Sequence, residues 1–250
     1  MNGECKTNFG KFRVKMDGNN INVGGRNFCV NIALYEKEAC LYWLKTDAQG
    51  CELNEKDIRG ENTVKMVDLG FSLLRKYYQY TYVTLLDDSG FSWKDKRDRV
   101  YKTNFLKGYL LLHGKTWYED KFNAVMCDSD IYTLYRQKAS NFNDPSKKPA
   151  TFNFMNEEVR QKLEPLYISS NTWREFIDKF VRLYGEDKYK LMYDWYRSAI
   201  YIIFDGMEIN QNWKIDLLSR PYIECVQEGG FGKTRKSKSF RRLEPFIWSP

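Results

Sequence analysis

Apolar and polar positions change their period several times along the chain, and each change marks an element. Between Lys11 and Met16 apolar residues alternate with charged ones, which predicts one short strand. The rest of residues 1–26 is rich in Gly and Asn and reads as turns and loose connections. Phe28–Leu34 and Ala39–Leu44 run apolar or alternate over the length of a strand. A densely charged loop follows, Asp47–Gly60. From Thr63 the period lengthens: Val64, Val67, Phe71, Leu74 and Tyr78 recur at three and four residues, which predicts a helix with one buried face, capped by Asn62 or Thr63. Tyr80–Leu86 is β-branched and aromatic and stops at the turn signal Asp87-Asp88-Ser89-Gly90. Phe91–Tyr101 is a polar, hairpin-like excursion. Leu106–His113 and Thr116–Phe122 then read as short helices, followed by a strand near Ala124–Met126.

Strands, loop, helix and strand in succession predict an α/β (α+β) fold with at least one parallel crossover. Pro145 and Pro149 make Asn141–Asn153 the best boundary. Beyond it Asn156–Tyr167, Thr172–Tyr184 and Asp187–Phe204 show helical spacing, with Gly185 ending the second. Residues 231–250 have no period and finish on LEPFIWSP, apolar anchors beyond a charged stretch. The expected organisation is a core at 1–140, a linker at 141–153, a helical extension at 154–228 and an extended arm at 229–250.

Composition narrows the function classes. With 250 residues, 42% of them apolar and 16% aromatic, the chain can bury a real core. Its longest apolar run, Ala199–Phe204, is far too short to span a bilayer, so no transmembrane segment is expected. The first residues have no hydrophobic h-region and carry Asn2 after Met1, so neither a secretory signal nor N-myristoylation is expected. None of the six cysteines forms a C-x-x-C pair, which makes a zinc site improbable. Cys29 and Cys40 lie in apolar runs, and reduced thiols in an intracellular setting are expected. With a single histidine, any Ser-His-Asp or Cys-His mechanism would rest on His113; packing at a helix end is the plainer reading. Asp87-Asp88 fits an Asx-turn better than a metal site. The Gly229–Thr234 string has Gln227 where a P-loop needs its first glycine.

Six of the seven net positive charges sit in GKTRKSKSFRR: Lys233, Arg235, Lys236, Lys238, Arg241 and Arg242. The protein is therefore near neutral with a basic tail, suited to nucleic acid, an anionic surface or an acidic groove on a partner. Phe246 and Trp248 add aromatic anchors.

The segment IRGENTVKMVDLGFSLLRK, residues 58–76, resembles the phosphate-binding motif of the GNAT acetyltransferases. In that motif bare backbone N–H groups at a helix N-terminus cradle the pyrophosphate of acetyl-CoA. Arg59 takes the Gln/Arg place, Asn62 stands where the first Gly belongs and Val64 where Gly or Ala belongs, while Gly60 is out of register. The resemblance makes Arg59, Gly60, Asn62, Thr63 and Val64 the cofactor contacts if acetyl-CoA binds. TWYEDKFNA is similar to the family's late tyrosine segment, which implies Tyr118 as general acid to the leaving thiolate. A general base would come from Asp47, Glu52 or Asp57.

The blocks GENTVKM, LLDDS and HGKTWYE–KFNA further resemble a group of proteins of large eukaryotic DNA viruses. That resemblance covers roughly residues 40–126 and implies a GNAT-like mixed sheet flanked by helices. With both glycines of the loop lost, the expectation is no cofactor, and a structural or interaction role as a minor capsid or virion component in the host cytoplasm or the particle. Its partners would be other proteins, capsid proteins first among them. The alternative is an acetyl-CoA-dependent N-acetyltransferase with an atypical phosphate loop.

Overall fold

A computed structural model describes residues 2–25, 27–44, 61–87, 90–94, 100–104, 106, 109–110, 113–143, 157–183 and 212–228. The chain is a mixed α/β protein that divides into two compact units, Met1–Leu85 with Asp216–Pro250, and Leu86–Ile215.

The first unit opens on an antiparallel meander, β1 (Asn2–Thr7), β2 (Gly10–Asp17), β3 (Asn20–Gly24), β4 (Phe28–Leu34) and β5 (Ala39–Leu44). Where the sequence predicts one strand in residues 1–26 there are three. The Gly and Asn density marks the hairpin turns between them. Thr7 Oγ1 donates to the Gly10 carbonyl, and Gly10 takes a φ of 148° that favours glycine. Asp17 Oδ1 accepts from the Asn19 amide and from Asn20 Nδ2, closing the turn around Gly18. Strict alternation then buries Phe12, Val14 and Met16 on β2 and Ile21 and Val23 on β3.

Helix α1 (Glu61–Tyr78) connects β5 to β6 (Tyr82–Leu86), and β5 and β6 pair in parallel with Cys40 opposite Thr84. This is the expected crossover. The helix is more deeply buried than its spacing implies. Every residue from 66 to 74 is buried, including Asp68 and Ser72, where the sequence predicts one apolar face. On the sheet side Gly70 allows close approach: a Cβ there would meet Ile32 Cδ1 at 3.0 Å and Val23 Cγ2 at 3.7 Å. Its other side is covered by residues 217–225. Arg220 clasps the Asp68 carboxylate with two bonds of 2.9 Å, and Arg75 Nη1 donates to the Arg220 carbonyl at 3.0 Å. Ser72 Oγ accepts from the Ile223 amide at 2.8 Å and donates to the Asp68 carbonyl.

The same segment ends in β11 (Val226–Glu228), which pairs antiparallel with β1 and gives the strand order β11–β1–β2–β3–β4–β5–β6. Beside that pairing Cys5 and Cys225 form a disulfide across a sequence separation of 220. This overturns the expectation of reduced thiols at both positions. Strand pairing brings the two cysteines together, with their Cα atoms 5.2 Å apart, and linear spacing cannot reveal it. Cys29 is disulfide-bonded as well, whereas Cys40 and Cys127 stand outside any disulfide.

In the second unit β7 (Gly90–Lys94) and β8 (Val100–Asn104) form the expected polar hairpin. Helix α2 (Trp117–Phe122) follows, and then β9 (Val125–Met126), which pairs with β10 (Asn212–Asp216). Between them lie α3 (Ser129–Asn143), α4 (Glu157–Ile168) and α5 (Trp173–Leu183). Tyr167 of α4 meets Phe176 of α5 edge-on, with centroids 5.6 Å apart. Segment 154–228, expected as a helical extension, thus contains α4 and α5 but also the strands β10 and β11. The alternation of NWKID, with Trp213 and Ile215 buried, is the signal for β10. The predicted helix Asp187–Phe204, most of the 141–153 linker and the 229–250 arm lie outside the described residues.

Candidate functional site

Three residues of the implied cofactor loop are described, and all three are helical. Because α1 begins at Glu61, Asn62, Thr63 and Val64 form its first turn, and neither Asn62 nor Thr63 is the N-cap. Thr63 is 1% exposed, and Asn62 and Val64 are half-buried. The helix therefore opens with packed side chains in its first turn. A phosphate cradle needs bare amides there. Arg59, Gly60 and the base candidates Asp47, Glu52 and Asp57 lie outside the described residues, as do Lys233, Arg235, Lys236, Lys238, Arg241, Arg242, Phe246 and Trp248.

Tyr118 belongs to the second unit. Its local sequence explains its place: Thr116 caps α2, with its hydroxyl accepting from the Glu119 amide while the Glu119 carboxylate accepts from the Thr116 amide at 2.7 Å. Asn123 closes the helix in the left-handed region, φ 53°. This short, doubly capped helix turns Tyr118 inward, 9% exposed, against Trp117 and Phe122 at centroid distances of 5.0 and 6.1 Å. Burial raises its phenol pKa well above the usual tyrosine range, and the charge of Asp87 adds to the effect. A phenol so placed is a packing group.

Around it lie two polar constellations that linear reasoning does not single out. The first centres on Glu119, which is buried. Besides Thr116, it accepts from Tyr132 Oη at 3.1 Å and Tyr135 Oη at 2.7 Å, and it pairs with Arg136 at 3.4 Å. Burial drives the Tyr135 phenol far upward, with Glu119 reinforcing it. The capping-box spacing Thr116-x-x-Glu119 is its visible signal; the tyrosine partners come from α3, which the sequence reading does not predict.

The second gathers charge around His113. Tyr109 stacks on the imidazole with centroids 4.0 Å apart, and Arg174 Nη2 lies 3.4 and 3.5 Å from the two ring nitrogens. Asp120 accepts from Tyr109 at 2.8 Å and pairs with Lys115 at 2.5 Å and Lys121 at 2.7 Å. Partial burial, then the Arg174 charge, lowers the His113 pKa. Tyr109 is pushed up to about 12, first by partial burial and then by its bond to Asp120. Lys115 and Lys121 hold Asp120 below the usual carboxylate range. His113 is thus a packed surface histidine between an aromatic ring and a cation.

Among the described residues, no three His, Cys, Asp or Glu side chains group to hold a metal ion, and no helix is long and apolar enough to cross a membrane. Comparison of the chain with protein-family models, with curated proteins and with solved structures gave no match.

Proposed function

We propose that this protein is a structural or interaction component built on an acetyltransferase-like core that no longer handles acetyl-CoA. The observation that carries the reading is the first turn of α1. There Thr63 packs at 1% exposure and Asn62 and Val64 are half-buried, where a diphosphate requires open amides. The burial of Tyr118 supports it from a second position. The β5–α1–β6 parallel crossover supports a GNAT-like ancestry for the first unit. On the resemblance of GENTVKM, LLDDS and HGKTWYE–KFNA to proteins of large DNA viruses, the role is that of a minor capsid or virion component. The basic arm, residues 229–250, docks on neighbouring proteins in this reading.

Two measurements test it. Calorimetric titration of the full chain with acetyl-CoA is expected to give no heat at millimolar cofactor; saturable binding would restore the enzyme reading. Mass spectrometry of purified virus particles is expected to find the chain at a fixed ratio to the major coat protein. Its absence there would end the virion assignment.

A further inference from the structure

The segment that closes the first unit is held in two different ways along its length. Residues 217–223 are fastened to α1 by side chains. Arg220 clasps Asp68, Arg75 donates to the Arg220 carbonyl, and the Ile223 amide donates to Ser72 Oγ. The Arg75 guanidinium also lies over the Tyr222 ring, 5.6 Å from its centroid, and Ile223 is buried at 9% exposure. Beyond Ile223 the character changes. Glu224 is exposed, and Val226 is 57% exposed, so neither adds to the core. Strand β11 is three residues long, with Val226, Gln227 and Glu228 opposite Lys6, Cys5 and Glu4 at the edge of the sheet. A short edge strand without buried apolar side chains opens at small cost. The bond between Cys5 and Cys225 is what fastens this end covalently.

The two sulfurs are unequally placed. Cys5 is 1% exposed, whereas Cys225 is half-buried. A thiolate arriving from solvent therefore reaches Cys225 Sγ, and Cys5 is the leaving group.

We propose that Cys5–Cys225 is a redox latch on β11, opened by a dithiol reductant. One thiolate of the reductant attacks Cys225 Sγ and forms a mixed disulfide, the bond to Cys5 breaks, and Cys5 takes up the proton. The second thiolate of the reductant then displaces Cys225, which takes up the second proton, and the reductant departs oxidised to its own disulfide. The clasp on α1 stays in place while residues 224–228 come off β1. Five residues of freed chain give whatever follows residue 228 roughly 17 Å of additional reach. The same step uncovers the outer edge of β1 from Glu4 to Lys6. The latch stands whether or not the virion assignment does.

Hydrogen exchange of the full chain, read by mass spectrometry with and without millimolar dithiothreitol, tests the latch. Alkylation of the folded, treated protein should label Cys225 and Cys5. Residues 226–228 should then exchange about tenfold faster or more, while 66–74 stay protected over the same times. Oxidised glutathione, added after the dithiol is removed, should restore the slow exchange. Cys29 is disulfide-bonded as well, so Cys225→Ser separates the two bonds. It opens this bond alone, and should exchange like the reduced protein with no reductant present. If that variant does not fold, the reduced wild-type chain still decides. The proposal is overturned if Cys5 and Cys225 resist alkylation in the treated protein, or if 226–228 exchange at one rate in both redox states. It also falls if reoxidation does not restore protection, or if 226–228 lose protection only together with 66–74, which would make the bond a staple of the whole unit.

Discussion

Replacing Arg220 with Met isolates the energetic consequence of the clasp between α1 and the C-terminal segment. Its partner Asp68 has a side chain only 4% exposed, and the Arg220 side chain is 11% exposed, so neither charge is solvated in compensation. Removing one member of such a buried pair costs about 3–5 kcal/mol, because the other charge stays buried alone. Asp68 has one escape, which is to take up a proton. Burial already raises its carboxyl above the usual range while the Arg220 bonds and charge pull it down, so Arg220→Met raises it further. Protonation costs about 1.36 kcal/mol for each pH unit above the ordinary aspartate value near 3.9, which is about 4 kcal/mol at pH 7 and about 1.5 kcal/mol at pH 5.

The sign follows from linkage. The folded variant binds a proton that the unfolded chain has released, so its stability falls as pH rises through that window. Urea unfolding read by hydrogen exchange of β3 and β4 peptides reports the first unit alone. With an m-value of about 2 kcal/mol per molar, the midpoint should drop by roughly 2 M at pH 7 and by less than 1 M at pH 5. Asp68→Leu combined with Arg220→Met should regain most of the loss. A penalty below about 1 kcal/mol, or one that does not change between pH 5 and 7, would refute this account of the pair.

Four further outcomes are expected. Glu119→Ala leaves the Thr116 amide and the Tyr135 hydroxyl without their acceptor, and should destabilise the second unit by about 3 kcal/mol or more, seen as early proteolysis between α2 and α3. His113 is the chain's one histidine, so its NMR titration is unambiguous. It should titrate below the ordinary value near 6.5, and Arg174→Gln should raise it. Because the folded value is depressed, the His113 contribution to stability is intact above about pH 6.5 and is lost as pH falls through the folded value. Non-reducing peptide mapping should recover Cys5 linked to Cys225, and reduction should cost up to roughly 5 kcal/mol on the loop-entropy scale. Gly70→Leu should cost about 1–3 kcal/mol by overpacking against Ile32 and Val23, measured as a lower melting temperature.

Where side chains repeat with one partner surface, the sequence displays the structure. The apolar runs of β4 and β5, the end of β6 at Leu86 and the Thr116-x-x-Glu119 cap are all local patterns. Helix α1 shows the limit. Its apolar stripe is legible, but Asp68 and Ser72 look like solvent positions until a segment about 150 residues later covers them. Helix α3 escapes because Tyr135 is the one buried side chain among its described residues, although Asp128, accepting from the Asp130 and Ile131 amides, is a usable start signal. The Asn-rich N-terminus misleads in the other direction: Gly and Asn stand both at the hairpin tips and within β3, so they read as turns where strands run. Of the candidate site, the motif residues Asn62, Thr63, Val64 and Tyr118 are legible as positions. Their burial is a property of packing and is not.

The closure of the first unit by residues 217–228 also sets a timetable. A sequence separation of 152 lies between Asp68 and Arg220, which at a synthesis rate of about 5–20 residues per second is a gap of roughly 8–30 s. For that interval a nascent α1 carries its carboxylate uncovered, and β1 lacks its outer neighbour. Residues 86–215 are made inside the gap, so the second unit has most of its sequence in hand before the first can close. A chaperone that shields an incomplete sheet edge would have its longest opportunity on this protein while those residues are still being added.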